Sequence, residues 1–198
     1  MKILAVSGSP RKNGNTETLL ASFLKGAEEA GAEAKFVRLA DIPFKNCKGC
    51  NACHKKGICV IKDELTPLFD DIAASDILVL ASPIYSMTVT SEMKGFVDRG
   101  QFLWAQKFRT KTLVFDEKHL RTHLGVFVST AGQDAGNIFD AAFPTMRAFF
   151  NDSGFPYREN ILFPGMDTKL GGKTTPELRE YAYTRGKEIA LQMMQAQK

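Results

Sequence analysis

The sequence predicts an α/β domain built on a parallel sheet with helices on both faces. Three observations carry this. Five short apolar runs, at residues 2–8, 34–39, 77–83, 123–132 and 157–163, alternate with segments of helical period. Two of them, "ILVLASP" and "HLGVFVSTAG", are nearly continuous in apolar character, as strands buried on both faces are. No repeat, low-complexity stretch or linker divides residues 1–198, so one domain is expected.

Each element has its own signal. The run at 2–8 ends in Ser7 and Gly8, which marks a strand leading into a turn. Residues 16–31 carry Leu19, Leu20, Phe23, Leu24 and Ala27 at helical spacing, with Gly31 as the stop. After the strand at 34–39 comes a cysteine-rich loop at 44–62, then a helix at 64–76 and the apolar strand at 77–83. A helix over 90–104 presents Met93, Phe96 and Val97 on one face. Residues 105–122 are basic and give no pattern. The fourth strand is followed by a helix over 137–154, expected to bend near Pro144, and by the fifth strand. The last helix, 174–194, opens with Thr175 as N-cap and Pro176 at its first position.

Composition narrows the function. Of the 198 residues, 44% are hydrophobic and 24% charged, as in ordinary globular proteins, and the net charge of +4 is spread along the chain. That balance gives no basis for nucleic-acid binding. No apolar run approaches the roughly 20 residues of a membrane span, and "MKILAVSGSP" has too short an apolar run for a signal peptide. A cytoplasmic location with reduced thiols is the expectation.

The loop "SGSPRKNGNTETLL" joins the first strand to the first helix. It has neither G-x-G-x-x-G nor G-x-x-x-x-G-K-[ST]. Its parts nonetheless suit a phosphate: Gly8 and Gly14 let the backbone curl, Ser7, Ser9, Asn13, Asn15 and Thr16 offer hydrogen bonds, and Arg11 offers charge. The helix behind it presents unpaired N–H groups and the positive end of its dipole. The plain alternative is a polar turn with Asn15 as N-cap. Ligands of doubly wound sheets bind outside the carboxyl ends of the strands, where this loop lies. Two further segments share that edge. In "SPIYSMTVTSEMK" Tyr85 and Met87 suit a flat aromatic ligand, and in "STAGQDAG" Ser129, Thr130 and Gly132 permit close backbone approach. By contrast, "GMDTKLGGKTT" at 165–175 ends like a nucleotide loop but has Asp167 where the first glycine belongs, and is expected to be a solvated lead-in to the last helix.

"GSPRKNGNT" and "SPIYSMTVTSEMKGFVDR" resemble the flavodoxin-like NAD(P)H-dependent FMN reductases, and the resemblance covers nearly the whole chain. It implies a doubly wound five-stranded parallel sheet of order 2-1-3-4-5, with FMN at the switch between the first and third strands. By that resemblance Ser9, Arg11, Asn13, Asn15 and Thr16 hold the FMN phosphate. Pro83, Ile84, Tyr85, Ser86, Ser129, Thr130 and Gly132 then meet the isoalloxazine ring.

All four cysteines fall in one loop, at the spacing C-x₂-C-x₂-C-x₅-C. Structural zinc sites usually bring C-x₂-C pairs from separate turns, whereas a run at x₂ intervals resembles the cluster-wrapping loop of bacterial ferredoxins. Lys45, Lys48, Lys55 and Lys56 would crowd an anionic cluster and favour its reduced state. Zinc, or thiols that bind nothing, remain open on spacing alone. The set resembles the compact motif of the iron–sulfur flavoproteins, a branch of the same family, which implies Cys47, Cys50, Cys53 and Cys59 as ligands of a [4Fe–4S] cluster. His54 is expected as an exposed loop histidine. His119 and His123 show no acid–base partner, and Phe102, Trp104 and Phe108 fit either core or interface.

The expected function is a redox flavoprotein holding FMN and a [4Fe–4S] cluster, with no catalytic triad and no catalytic residue singled out. The resemblance implies ferredoxin or a similar carrier as electron partner, with a quinone, dioxygen or peroxide as small-molecule acceptor. It also implies a homo-oligomer, a tetramer ahead of a dimer; because the cysteine loop follows an edge strand, displaced sideways from the FMN of its own chain, the cluster is expected to serve a neighbour's FMN. The rivals are an NAD(P)H-dependent FMN or quinone reductase without a working cluster, and a zinc-stabilised flavin-binding regulatory module.

Overall fold

The computed structural model describes residues 1–197; Lys198, the end of the expected domain, lies outside them. Five parallel strands form the sheet: β1 (Lys2–Ser7), β2 (Glu33–Arg38), β3 (Ile77–Tyr85), β5 (Leu124–Thr130) and β6 (Tyr157–Phe163). They stand in the order β2-β1-β3-β5-β6, which is the expected order for the parallel strands. A sixth strand, β4 (Thr88–Val89), was not expected and pairs antiparallel with the end of β3. Ser86 and Met87 make the two-residue turn between them with φ of 48° and 69°, the left-handed conformation that tight hairpins demand.

The strands alternate cleanly. Ile3, Ala5, Ile77, Val79, Val126 and Val128 face one side and bury against α1 (Asn15–Glu29) and α8 (Pro176–Ala196). Leu4, Val6, Leu78, Leu80 and Phe127 face the other and bury against α3 (Thr66–Ala73), α4 (Ser91–Arg99) and α7 (Phe143–Ser153). Two apolar faces explain why the central strands are almost purely apolar. Helices α1 and α8 cross closely: a Cβ on Gly26 would sit 2.0 Å from Tyr183 O, and one on Gly186 1.9 Å from Phe23 O.

Several boundaries differ from expectation. The helix expected at 90–104 is two, α4 and α5 (Gln101–Phe108), divided at Gly100. There the Gly100 N–H is shared between Phe96 O and Val97 O, and the Phe149 ring would touch any Cβ at 2.5 Å. The helix expected at 137–154 begins only at Phe143, and Pro144 opens it rather than bending it, because the first turn has no use for its missing N–H. The helix at 64–76 contracts to Thr66–Ala73. The unpatterned stretch 105–122 holds the end of α5 and α6 (Glu117–Thr122), capped by Asp116, which accepts from His119 N–H at 2.7 Å. The caps read for the last helix hold: Thr175 accepts from Leu178 N–H and Pro176 is the first helical residue. Among the described residues no helix is long and apolar enough to cross a membrane.

Candidate functional site

The carboxyl ends of β1, β3 and β5 open on a cavity of about 750 Å³. Its first wall is the loop after β1. Gly8 packs directly on α4, since a Cβ there would fall 2.6 Å from Met93 Cβ. Beyond it the chain folds on itself: Ser9 N–H donates to Ser7 Oγ, Arg11 N–H to Ser9 Oγ and Gly14 N–H to Arg11 O, each at 3.2 Å. The expected N-cap is absent. Gly14 takes the cap position of α1 without a side-chain bond, while Asn15 Nδ2 donates to Gly172 O at 3.0 Å. The first N–H groups of α1 therefore keep no side-chain acceptor, as a helix start facing an anion requires.

Glu17 shapes this loop from beneath. Its buried carboxylate accepts from Asn13 N–H at 2.8 Å, from Ser7 Oγ at 3.3 Å and from Arg38 Nε at 2.6 Å. Asn13 stands at φ 57°, and the Glu17 contact helps hold it there. The hydrogen bond with Glu17 raises the Arg38 guanidinium further above its ordinary range.

The second wall is the β3–β4 turn, with Pro83, Ile84, Tyr85, Ser86 and Met87; Tyr85 and Met87 are exposed apolar side chains. Thr130 and Gly132 belong to the third, and Thr16 Oγ1 and Thr130 Oγ1 tie the first wall to it at 2.6 Å. The structure thus gathers Ser9, Arg11, Asn15, Thr16, Pro83, Ile84, Tyr85, Ser86, Thr130 and Gly132 on one cavity. It does not bring Asn13 or Ser129 to that wall. Asn13 turns outward beside Glu17, and Ser129 is fully buried with its hydroxyl donated to Ser82 O at 2.7 Å.

A fourth wall was not foreseen. The stretch 165–172, expected as a solvated lead-in, is stitched to the loop after β5: Gly165, Met166 and Asp167 N–H groups donate to Gln133, Ala131 and Gly132 carbonyls. Met166 and Asp167 line the cavity, and a Cβ on Gly132 would meet Asp167 Oδ2 at 2.3 Å. The "GG" pair at 171–172, both at positive φ, was the available signal of a turn doubling back.

The cysteine loop lies outside this cavity. All four thiols are free; Cys47 and Cys50 are exposed, Cys53 and Cys59 half-buried. Cys53 begins a four-residue helix, α2 (Cys53–Lys56), that ends on the left-handed Gly57. Burial pushes the Cys53 thiol up, and Cys59, Cys47 and Cys50 push it the same way, so the four share one electrostatic neighbourhood. No three His, Cys, Asp or Glu side chains among the described residues stand close enough to hold one metal ion. His54 is not the exposed histidine expected: it is half-buried with its ring 5.4 Å from that of Trp104. Phe102 packs edge-on against Phe69 in the core, at 4.8 Å, while Phe108 lies half-exposed beside Trp104.

The loop carries a sign of a missing acceptor. Two buried side-chain nitrogens among the described residues lack a hydrogen-bond partner, His54 Nε2 and Arg99 Nε. His54 follows Cys53, and the charge of Cys59 reaches Arg99. Buried polar nitrogens left unpaired are rare and costly, and both here belong to residues beside the thiols. Four soft donors with the unused Arg99 Nε–H beside them, and His54 Nε2 able to donate in one tautomer, suit an anionic iron–sulfur cluster.

A family model described as NADPH-dependent FMN reductase matches residues 1–148. An iron–sulfur flavoprotein of Archaeoglobus fulgidus is 40% identical over 99 residues, which cover 50% of this chain and 45% of that protein. Another, of Methanocaldococcus jannaschii, is 37% identical over 101 residues, covering 51% and 52%. The chain spans about half the length of these curated relatives. A solved flavodoxin from the domain Archaea superposes with a TM-score of 0.58 at 13% identity, over 98% of this chain and 99% of that one, so the fold is flavodoxin-like.

Proposed function

Because the chain belongs to the NADPH-dependent FMN reductase family, we propose that it is an FMN-dependent oxidoreductase that also carries a [4Fe–4S] cluster. The observation that carries the flavin reading is the convergence of three strand-end loops on one cavity, with Arg11 and the open start of α1 on one wall and Tyr85 on another. The residue roles in this reading are specific. Ser9, Arg11, Asn15, Thr16 and the α1 N–H groups hold the phosphate. Pro83, Ile84, Tyr85, Ser86, Thr130 and Gly132 bound the ring. Asn13 and Ser129 act from behind, by shaping the first loop and by locking β5 to β3. Cys47, Cys50, Cys53 and Cys59 hold the cluster. When bound, FMN supplies one- or two-electron transfer and the cluster one-electron transfer.

The names of the curated relatives and the two unpaired buried nitrogens support the cluster. A ferredoxin-like carrier fits as donor and a quinone, dioxygen or peroxide as acceptor. A homo-oligomer, dimer or tetramer, fits the exposed edge strand β2. A second reading, an NADPH-dependent FMN or quinone reductase with idle thiols, draws on the family description and on the failure of any three thiols to converge unaided.

Anaerobic purification followed by a visible spectrum and assays of FMN, iron and acid-labile sulfide tests both. FMN with iron and sulfide is the expected result. FMN without either leaves the second reading; zinc in their place leaves a metal-stabilised module. For the pocket itself, Arg11→Ala removes a charge-assisted bond worth about 1.5–3 kcal/mol and should weaken FMN binding roughly tenfold or more. Wild-type FMN affinity in Arg11→Ala and Thr16→Ala alike would overturn the phosphate assignment.

A further inference from the structure

Arg99 is the last residue of α4, and it is 2% exposed. A charged side chain buried so deeply needs a reason, because desolvating it costs several kcal/mol unless it is paired. Its pairing is all to the two ends of the cysteine loop. Nη1 donates to Lys45 O at 2.7 Å and to Asp63 Oδ2 at 2.6 Å. Nη2 donates to Asp63 Oδ1 at 3.1 Å and to Ile61 O at 3.3 Å. Asp63 in turn accepts Lys45 N–H at 3.0 Å. One guanidinium thus joins residue 45, just before Cys47, to residues 61 and 63, just after Cys59. The base of the loop is pressed against the same helix, since a Cβ on Gly95 would fall 2.5 Å from Asn46 Oδ1. Four of the five N–H donors of the fork are spent or face these partners, and Nε is left buried and unpaired.

We propose that Arg99, clasped to Asp63, is the positioning residue of the cysteine loop: it closes the loop's two ends and aims its free Nε–H at the sulfur atoms the loop encloses. This rests on the reading that the four thiols hold an iron–sulfur cluster. The fork matters more than the charge for closure, because only a planar guanidinium reaches a carboxylate in two places and two carbonyls besides. The charge matters for the cluster, because a buried cation beside an anionic group favours its more reduced, more negative state. Lys45, Lys48, Lys55 and Lys56 are exposed and screened by water; Arg99 is not.

The two roles separate in two variants. Arg99→Lys keeps the positive charge and loses the fork. Arg99→Met/Asp63→Asn removes both charges together, so neither is stranded, and the new side-chain amide oxygen still accepts Lys45 N–H. FMN content and circular dichroism check that each folds. After anaerobic reconstitution, both should lose iron to a chelator about 10- to 100-fold faster than wild type, the range for disturbed outer-shell contacts. The metal-free variants should also be cut by trypsin within 45–62 about tenfold faster than metal-free wild type, since closure precedes metal. The cluster potential should fall in both variants, because each loses the Nε–H, and fall further in the double variant, which puts an uncharged group where the guanidinium stood; a merely structural residue would move neither. Folded, FMN-loaded variants that keep iron and resist trypsin like wild type overturn the clasp, and an unchanged potential in the double variant overturns the aim of Nε. Wild-type protein that takes up FMN but no iron removes the cluster reading and this role with it, a result distinct from the first two.

Discussion

Glu17 makes the sharpest test of how the flavin loop is held. Glu17→Gln keeps the shape of the side chain and one acceptor oxygen but removes the charge. In the native structure two of its bonds are short, 2.8 Å to Asn13 N–H and 2.6 Å to Arg38 Nε, in a site where Glu17 is 6% exposed. A net neutral hydrogen bond contributes about 0.5–1.5 kcal/mol and one to a charged group about 1.5–3, so neutralising the Asn13 contact removes about 1 kcal/mol. Arg38 loses its buried counter-charge but keeps the exposed Asp41 at 2.6 Å, which limits that loss to about 1–2 kcal/mol. The expected destabilisation is about 2–3 kcal/mol, read as a lower midpoint in urea with an unchanged slope. Freed from Glu17, Asn13 leaves its left-handed conformation more often, and an opening shifted by about 1 kcal/mol weakens FMN by up to roughly fivefold in a fluorescence titration. Arg38→Met strands the Glu17 charge and should cost more, about 3–5 kcal/mol, while the double variant should fall short of the sum by about 1–3 kcal/mol. Glu17→Gln with a wild-type urea midpoint and wild-type FMN affinity, or a double variant that is strictly additive, would refute the argument.

Two further outcomes are expected. Burial, with the His119 side chain beside it, holds the His123 imidazole below its ordinary value of 6.5, against the opposing pull of the His119 carbonyl and, more weakly, of Asp76. As pH falls below 6.5 the unfolded chain takes that proton first, so stability is full above 6.5 and is lost as pH falls toward the folded-state value. Melting temperature should therefore drop between about pH 7.5 and about pH 5.5, and less in His123→Gln; an equal drop in that variant removes His123 as the cause. For the electron route, Cys50→Ser chains, which lack a proposed cluster ligand, mixed with Arg11→Ala chains stripped of their weakly held FMN, should regain ferredoxin-driven turnover if the cluster serves a neighbour's flavin. No recovery in a proven homo-oligomer confines transfer to one chain.

The strands and the cavity were legible because their signals are local. A strand such as β6, Tyr157–Phe163, declares itself by its own residues, and a glycine-bearing polar turn after the first strand declares a loop able to cradle an anion. What escaped depends on partners far along the chain. Gly100 divides a helix because Phe149 needs the space, and nothing near residue 100 announces Phe149. Asp167 enters the cavity only because residues 165–167 bond to the loop after β5. Ser129 looked like a ligand-facing hydroxyl, yet the alternation of β5 turns it inward onto Ser82 O. Arg99 carries no local signal, since the expected helix ran past it to residue 104; its partners Asp63 and Lys45 lie 36 and 54 residues away.

Helix α4 joins these separate observations. Its N-cap, Thr90, donates its hydroxyl to Gly8 O at 2.6 Å and accepts Met93 N–H at 3.3 Å, so the start of the helix is fixed to the start of the flavin loop. At its far end stands Arg99, fixed to both ends of the cysteine loop. Nine helical residues at about 1.5 Å each make the rod about 13 Å long. Met93 and Phe96 bury it against the sheet, so it cannot slide or tilt without opening the core. The spacing of the two sites is therefore set by one short, capped, buried helix rather than by the long loop that carries the cysteines. An insertion in that loop would leave the spacing alone, whereas an insertion within 91–99 would change it. On the proposed function, a route through the chain would have a fixed length that the edge position of β2 alone does not reveal. Any oligomer in which the cluster serves a neighbour must bring that neighbour's cavity within a comparable distance to compete with it.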